Sequence, residues 1–196
     1  MTTREEIQQL SQTAGQVRGA TLQTDREYVK RHFGPDTLKK VEARLKDWGT
    51  PIDYEKIDAM TWYPAGLRPI SLLAIKEVLG FDDDQIKAMG REAPKYSFLV
   101  KLLMKFFLSL SQTFRNAPVY WKKHWTIGEL ELVSFDEKAK ILVLRLKGLK
   151  LHPIICKYEE GYFIGISSFV VKTTRIEESQ CSFQGAPFHE YKIYWE

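Results

Sequence analysis

The sequence predicts an α+β fold, an N-terminal helical layer packed on a four-stranded antiparallel sheet. Three observations carry that prediction. Glycines, prolines and helix-capping residues cut positions 1–117 into helix-length segments. After Pro118 the hydrophobic period changes from 3.6 to 2. The strand pairs that follow flank one more helical segment, so 118–196 reads as ββαββ. There is no fixed-period repeat and no dividing linker, and 1–196 is expected to be a single domain.

Composition narrows the class. The 196 residues are 44% hydrophobic and 28% charged, enough for a sizeable core and too apolar for disorder. The longest apolar run, 98–110, is interrupted by Lys101 and Lys105 and falls short of the roughly 20 residues a membrane span needs. The opening MTTREEIQQL is too polar for a secretory leader. Two cysteines are no disulfide framework, so a reducing, cytoplasmic setting is expected.

The helices follow in order. Residues 3–15 make a polar amphipathic helix. Thr24 or Asp25 is placed to cap a second, which runs to 33 and stops at Gly34. Asp36 caps a third, where Leu38, Val41 and Leu45 recur at helical spacing up to Trp48. Residues 50–66 carry Pro51, Pro64 and Gly66 without a period and read as a packed loop. Pro69 opens a helix closed by Gly80, and Asp82 caps a short one to about 91. The triple acid Asp82-Asp83-Asp84 therefore reads as a helix start rather than a metal cluster. Pro94 starts the next helix, 95–115, which is apolar around most of its circumference. It is either a plain core helix or the wall of an apolar ligand cavity.

In the C-terminal part, Leu130 and Leu132 alternate with Glu129 and Glu131, and Leu144 and Leu146 with Arg145 and Lys147. A hairpin turning near 136–138 sets Glu131 opposite Arg145 and Glu129 opposite Lys147, with the leucines facing each other on the other side. That register explains the six basic residues and no acid between 138 and 157 as a charge-paired sheet face, and with a net charge of only +4 no nucleic-acid partner is expected. Residues 153–172 read as a helix on which Gly161 and Gly165 form a smooth stripe. Strands 174–183 and 188–195 follow around the turn at 184–187.

One constellation could carry chemistry. In the last hairpin Cys181 falls opposite His189, close enough for both to reach one ion. Glu177 and Glu178 lie just upstream, and Cys156 sits near a helix N-terminus. Two thiolates, an imidazole and a carboxylate make an acceptable zinc set. Strand alternation puts Glu177 on the face of Cys181 unless a bulge intervenes. The competing readings are two buried free cysteines with a structural histidine, or a Cys156–Cys181 disulfide. No phosphate loop, dinucleotide fingerprint or nucleophile elbow occurs. Lys122-Lys123-His124, between Trp121 and Trp125, reads as a helix-to-strand corner.

The spacing of Cys156, Gly161 and Gly165, then Glu178, Cys181, Gly185 and His189, with an aromatic last strand, resembles the 4-vinyl reductase domain family. Val17-Arg18-Gly19, His32-Phe33-Gly34, Trp62-Tyr63-Pro64 and Met89-Gly90-Arg91 extend the likeness over nearly the whole chain. That family includes the sensor domains of phenol-responsive activators, and its fold is shared with heme nitric-oxide-binding domains and a vesicle-tethering subunit family. The resemblance implies an apolar pocket and a zinc ion at Cys156, Glu178, Cys181 and His189, the histidine standing where the family has cysteine. It counts against heme, because the heme members carry a histidine on a helix near the middle and a Tyr-x-Ser-x-Arg motif; the 95–115 helix has no histidine, and the motif does not occur.

The resulting expectation is a non-enzymatic small-molecule-binding or sensor module. Its pocket would be lined by Phe98, Leu102, Phe106, Tyr162 and Phe163, its ligand apolar, and its signal passed to a separate effector protein. The alternatives are an interaction scaffold and a tetrapyrrole-metabolism accessory or reductase. A homodimer is the expected assembly, and in the scaffold reading Gly161 and Gly165 lie at its contact.

Overall fold

Helix boundaries fall where the chain supplies a cap. The computed structural model describes residues 2–103 and 109–196. Helix α1 (Arg4–Ser11) starts at Thr3, whose side chain accepts from the Glu6 amide. Helix α3 (Pro35–Asp47) has proline at its first position, and α4 (Leu67–Leu79) ends on left-handed Gly80. Helix α5 (Asp83–Tyr96) opens with a capping box between Asp82 and Gln85. Asp82→Ala is expected to cost about 1 kcal/mol of stability, read as a shift of the urea midpoint at unchanged slope.

Four expectations are corrected here. Helix α2 (Gly19–Phe33) begins before Thr24 and Asp25, which are buried mid-helix rather than capping. Asp25 is fully buried because it pairs with buried Arg68 of α4, and its Oδ2 also accepts from Ser71 Oγ at 2.6 Å. Residues 50–66 contain a single 3-10 turn (Tyr54–Lys56) and strand β2 (Trp62–Pro64), which pairs antiparallel with β1 (Gln16–Arg18). Helix α5 continues past 91 and through Pro94. The single helix expected over 95–115 is divided. Ser97 ends α5, and its hydroxyl accepts from the Val100 amide at the start of α6 (Phe98–Leu103). Extended Ser109 caps α7 (Leu110–Arg115) in the same way through the Gln112 amide. Serine hydroxyls that bond nearby amides compete with helix continuation. Helix α8 (Ala117–His124) follows.

The second sheet has the order β3-β4-β6-β5, all antiparallel, from β3 (Glu129–Asp136), β4 (Ile141–Lys147), β5 (Thr173–Gln180) and β6 (His189–Trp195). The predicted register holds: Glu131 faces Arg145, Glu129 faces Lys147, and Leu130 and Leu132 face Leu146 and Leu144. Arg145 also reaches Glu190 of β6 at 2.8 Å. Leu142, Leu144, Leu146, Tyr191 and Ile193 turn inward to the helices and are fully buried.

Helix α9 (Pro153–Ser167) lies in the core against α5 and ends five residues before the expected boundary. The glycine stripe is what lets the two helices meet. A Cβ on Gly161 would lie 1.9 Å from the Lys87 carbonyl oxygen, one on Gly165 2.3 Å from that of Arg91, and one on Gly90 2.1 Å from that of Tyr158. The stripe is therefore filled by the chain's own α5. This corrects its placement at a dimer contact. Among the described residues no helix is long and apolar enough to cross a membrane.

Candidate metal centre and ligand cavity

Helix α9 carries two sites, one at its N-terminal turn and one along its middle. At the first, Cys156 meets Glu178, Cys181 and His189 from the last hairpin, and one ligand atom from each falls within 4.8 Å of all the others. The two sulfurs are 3.8 Å apart, and Cys156 Sγ is 3.7 Å from His189 Nδ1. Two sulfurs each about 2.3 Å from a tetrahedral ion lie about 3.8 Å apart. The carboxylate arrives by a bulge. The β5–β6 register slips between Glu178 and Gln180, so Glu178, rather than Glu177, reaches the cluster.

The imidazole is oriented from behind. His189 Nε2 lies 3.0 Å from the Leu149 carbonyl oxygen and 2.5 Å from Ser182 Oγ. The carbonyl only accepts, so Nε2 donates to it and Nδ1 is the ring nitrogen that faces the cluster. Nδ1 sits 2.7 Å from Glu178 Oε1, an ion pair when the imidazole carries both protons. Two sulfurs, a carboxylate and an imidazole nitrogen converging in this way must share protons or a cation among them. Burial, then the nearness of Glu178 and Cys181, pushes the Cys156 thiol well above its ordinary range. A bound cation reverses that balance, because it holds the thiolate. Cys156, Glu178 and Cys181 border an open groove that gives an ion an entry path.

The second site is a partly open cavity of ≈ 80 Å³ lined from α2, α4, α6, α7, α8, α9 and β3. Its apolar walls include Val100, Leu103, Phe114, Trp121, Phe163 and Ile166. Thr21, Thr24, Ser97 and Thr113 also line it with their hydroxyls hydrogen-bonded, and three further polar side chains stand apart from them. Arg68, Glu159 and His124 line it at 2%, 5% and 8% exposure, and Arg68 Nη2, Glu159 Oε2 and His124 Nε2 are buried with no hydrogen-bond partner. Native structures leave few buried polar atoms bare. Arg68 and His124 are held in place by other contacts. Arg68 bonds Asp25 through Nη1, and its guanidinium lies 4.1 Å over the Tyr158 ring. His124 Nδ1 is 2.9 Å from the Tyr120 carbonyl, so it carries the proton and Nε2 is the bare acceptor. Burial pushes His124 below its ordinary value. Burial pushes Glu159 up to about 7, against the opposing pull of Arg68.

Of the predicted pocket residues, Tyr162 and Phe163 line this cavity. Phe98 and Leu102 are corrected: they are 51% and 53% exposed, because the short helix α6 turns Leu99, Val100 and Leu103 inward instead. Phe106 lies outside the described residues. Sequence reasoning missed Arg68, Glu159 and His124. The available signal was chemical: Glu159 and Glu160 interrupt an otherwise apolar helix, and Glu160 alone is explained, by ion pairs with Lys87 and Lys157 at 2.7 Å.

No family model matches the chain, and no curated protein matches its sequence. Solved structures do match. An H-NOX protein from S. oneidensis in the Fe(II)NO ligation state aligns at TM-score 0.69 and 15% identity, over 91% of this chain and 99% of that one. An H-NOX structure concerned with heme distortion in that family aligns at 0.66 and 16%, over 91% and 95%. An Fe(II) unliganded H-NOX mutant from K. algicida aligns at 0.63 and 11%, over 91% and 96%. The chain has the H-NOX fold, the heme nitric-oxide-binding-like architecture that the sequence resemblance implied.

These structures correct the expectation against heme, since the same fold holds iron and heme in those proteins. The sequence argument rested on the absent Tyr-x-Ser-x-Arg motif and on a histidine sought within 95–115, and passed over His124. Its bare Nε2, with Nδ1 tied to a carbonyl, has the donor chemistry of an axial imidazole. The cavity is smaller than a porphyrin, which would require these walls to open.

Proposed function

We propose that the chain is a small-molecule-binding module of the sensor type. A zinc-class ion at Cys156, Glu178, Cys181 and His189 braces α9 to the last hairpin, the ligand occupies the cavity beside Phe163, and the signal passes to a separate effector protein. The observation that carries the proposal is the set of three buried, partnerless polar atoms in a mostly apolar cavity. A cavity serving only as packing slack leaves such atoms unpaid, whereas a bound molecule satisfies them. The cysteine-rich cluster supports kinship with 4-vinyl reductase-like sensor domains. The scaffold reading loses its sequence basis, because α5 occupies the glycine stripe.

Native mass spectrometry of untagged protein, with elemental analysis, tests both parts. The expected result is one zinc-class ion per chain and a small molecule that leaves on denaturation. Metal-free, ligand-free protein that also excludes dissolved xenon would overturn the reading. A cavity-filling variant gives a second check. Ala117 lines the cavity, and Ala117→Leu is expected to block xenon uptake while raising stability by about 0.5–2 kcal/mol in thermal melts.

A further inference from the structure

We infer that the molecule this cavity takes is a small uncharged carbonyl compound on an apolar body, an amide above all, whose oxygen accepts from Arg68 Nη2 and from the Glu159 carboxyl. The inference rests on the binding reading above and names the ligand class for the same cavity.

Size sets the first bound. One water needs roughly 10–15 Å³ of such space, so the cavity holds about five to eight water-sized groups. Charge sets the second. The Arg68 guanidinium is already matched by Asp25, and both are almost completely buried. A carboxylate ligand would add an unmatched negative charge to an apolar box. An ammonium ligand would face the Arg68 N–H groups. Either is costly away from water. An uncharged ligand avoids both penalties.

Hydrogen bonding sets the third. Arg68 Nη2 can only donate, and Glu159, protonated below about pH 7 because of its burial, can donate there too. A carbonyl oxygen has two lone pairs and accepts from both. The remaining bare atom, His124 Nε2, is an acceptor, and an amide N–H is the donor it lacks. The apolar wall of Val100, Leu103, Phe114 and Phe163 then packs the body of the ligand.

The arrangement makes binding pH-dependent. The groups around Glu159 are Arg68 from α4, Asp25 from α2, His124 from α8, Tyr158 and Tyr162 from α9 and Tyr191 from β6. Arg68 and the tyrosines keep their protons between pH 6 and 8, and His124 is held neutral by burial. Asp25 is raised by burial, opposed by the Arg68 guanidinium with which it is ion-paired. Glu159 is thus the group that changes state near pH 7. Its protonated form binds the carbonyl, so affinity is level below about 7 and falls above it.

The test titrates isobutyramide, isobutyrate and isobutylamine, which share one apolar body, into the full chain by calorimetry at pH 6 and 8, with xenon uptake followed in parallel. Isobutyramide should bind, about tenfold more weakly at pH 8 than at pH 6. Glu159→Gln keeps a donor without a titrating proton, so it should bind isobutyramide with no such pH dependence. Isobutyrate or isobutylamine binding as tightly as the amide, or a pH dependence that persists in Glu159→Gln, overturns the ligand class. Xenon entry with no binding of any of the three also overturns the class while leaving the cavity reading intact. Exclusion of xenon as well removes that reading too.

Discussion

Cys181→Ser is expected to strip the metal from the chain and lower its melting temperature steeply. The four ligand atoms come from two parts of the fold, the first turn of α9 and the β5–β6 hairpin, so an ion there ties together segments 22 to 33 positions apart. The unfolded chain has no preformed site, and metal binding therefore adds directly to folding stability. With free metal 1,000-fold above its dissociation constant, the added stability is about 4 kcal/mol. Serine is a poor ligand for a zinc-class ion, and its substitution leaves Cys156, Glu178 and His189 facing one another without the cation that reconciles them. A chelator should lower the wild-type melting temperature to the level of the variant and leave the variant unchanged. Wild type that melts identically with and without chelator, and yields no metal, would leave two ordinary buried thiols and sink the prediction.

Whether a feature could be read from sequence depended on the range over which its cause acts. The β3–β4 register was legible because charge and leucine patterns on both strands agree, and both lie within twenty residues. The Gly161 and Gly165 stripe was legible as a place of close approach, but which backbone approaches was not, since Gly90 lies seventy residues away. Asp25 looked like a cap because its partner, Arg68, belongs to another helix. The division of the 95–115 helix turned on Ser97 and Ser109, whose hydroxyls bond the amides of the turns that follow. Cys156, Glu178, Cys181 and His189 were found by residue type and by family resemblance, and the bulge needed to bring in Glu178 could be stated as a condition. Arg68, Glu159 and His124 were not found, because only the assembled walls show that their polar atoms lack partners.

The other large effect is expected at Gly161. On an ordinary helix surface, glycine to alanine stabilises by about 1 kcal/mol. Here the new Cβ would fall 1.9 Å from the Lys87 carbonyl oxygen, which belongs to the α5 backbone and cannot rotate away. The helices must separate, and α5 and α9 form the most extensive helix contact in the core. Gly161→Ala is therefore expected to destabilise by about 3 kcal/mol or more, with a sign opposite to the propensity effect. The consequence reaches both sites. Cys156 lies five residues before Gly161 on α9, and Glu159, Tyr162 and Phe163 lie within two residues of it. Moving α9 off α5 displaces a metal ligand and a cavity wall together, so the variant should lose metal affinity and xenon uptake along with stability. Measured together, the three readouts separate this outcome from simple loosening of the cavity, which would spare the metal. A Gly161→Ala protein that melts at or above the wild-type temperature would show that the helices do not meet through this glycine, and the physical link between the two sites would go with it.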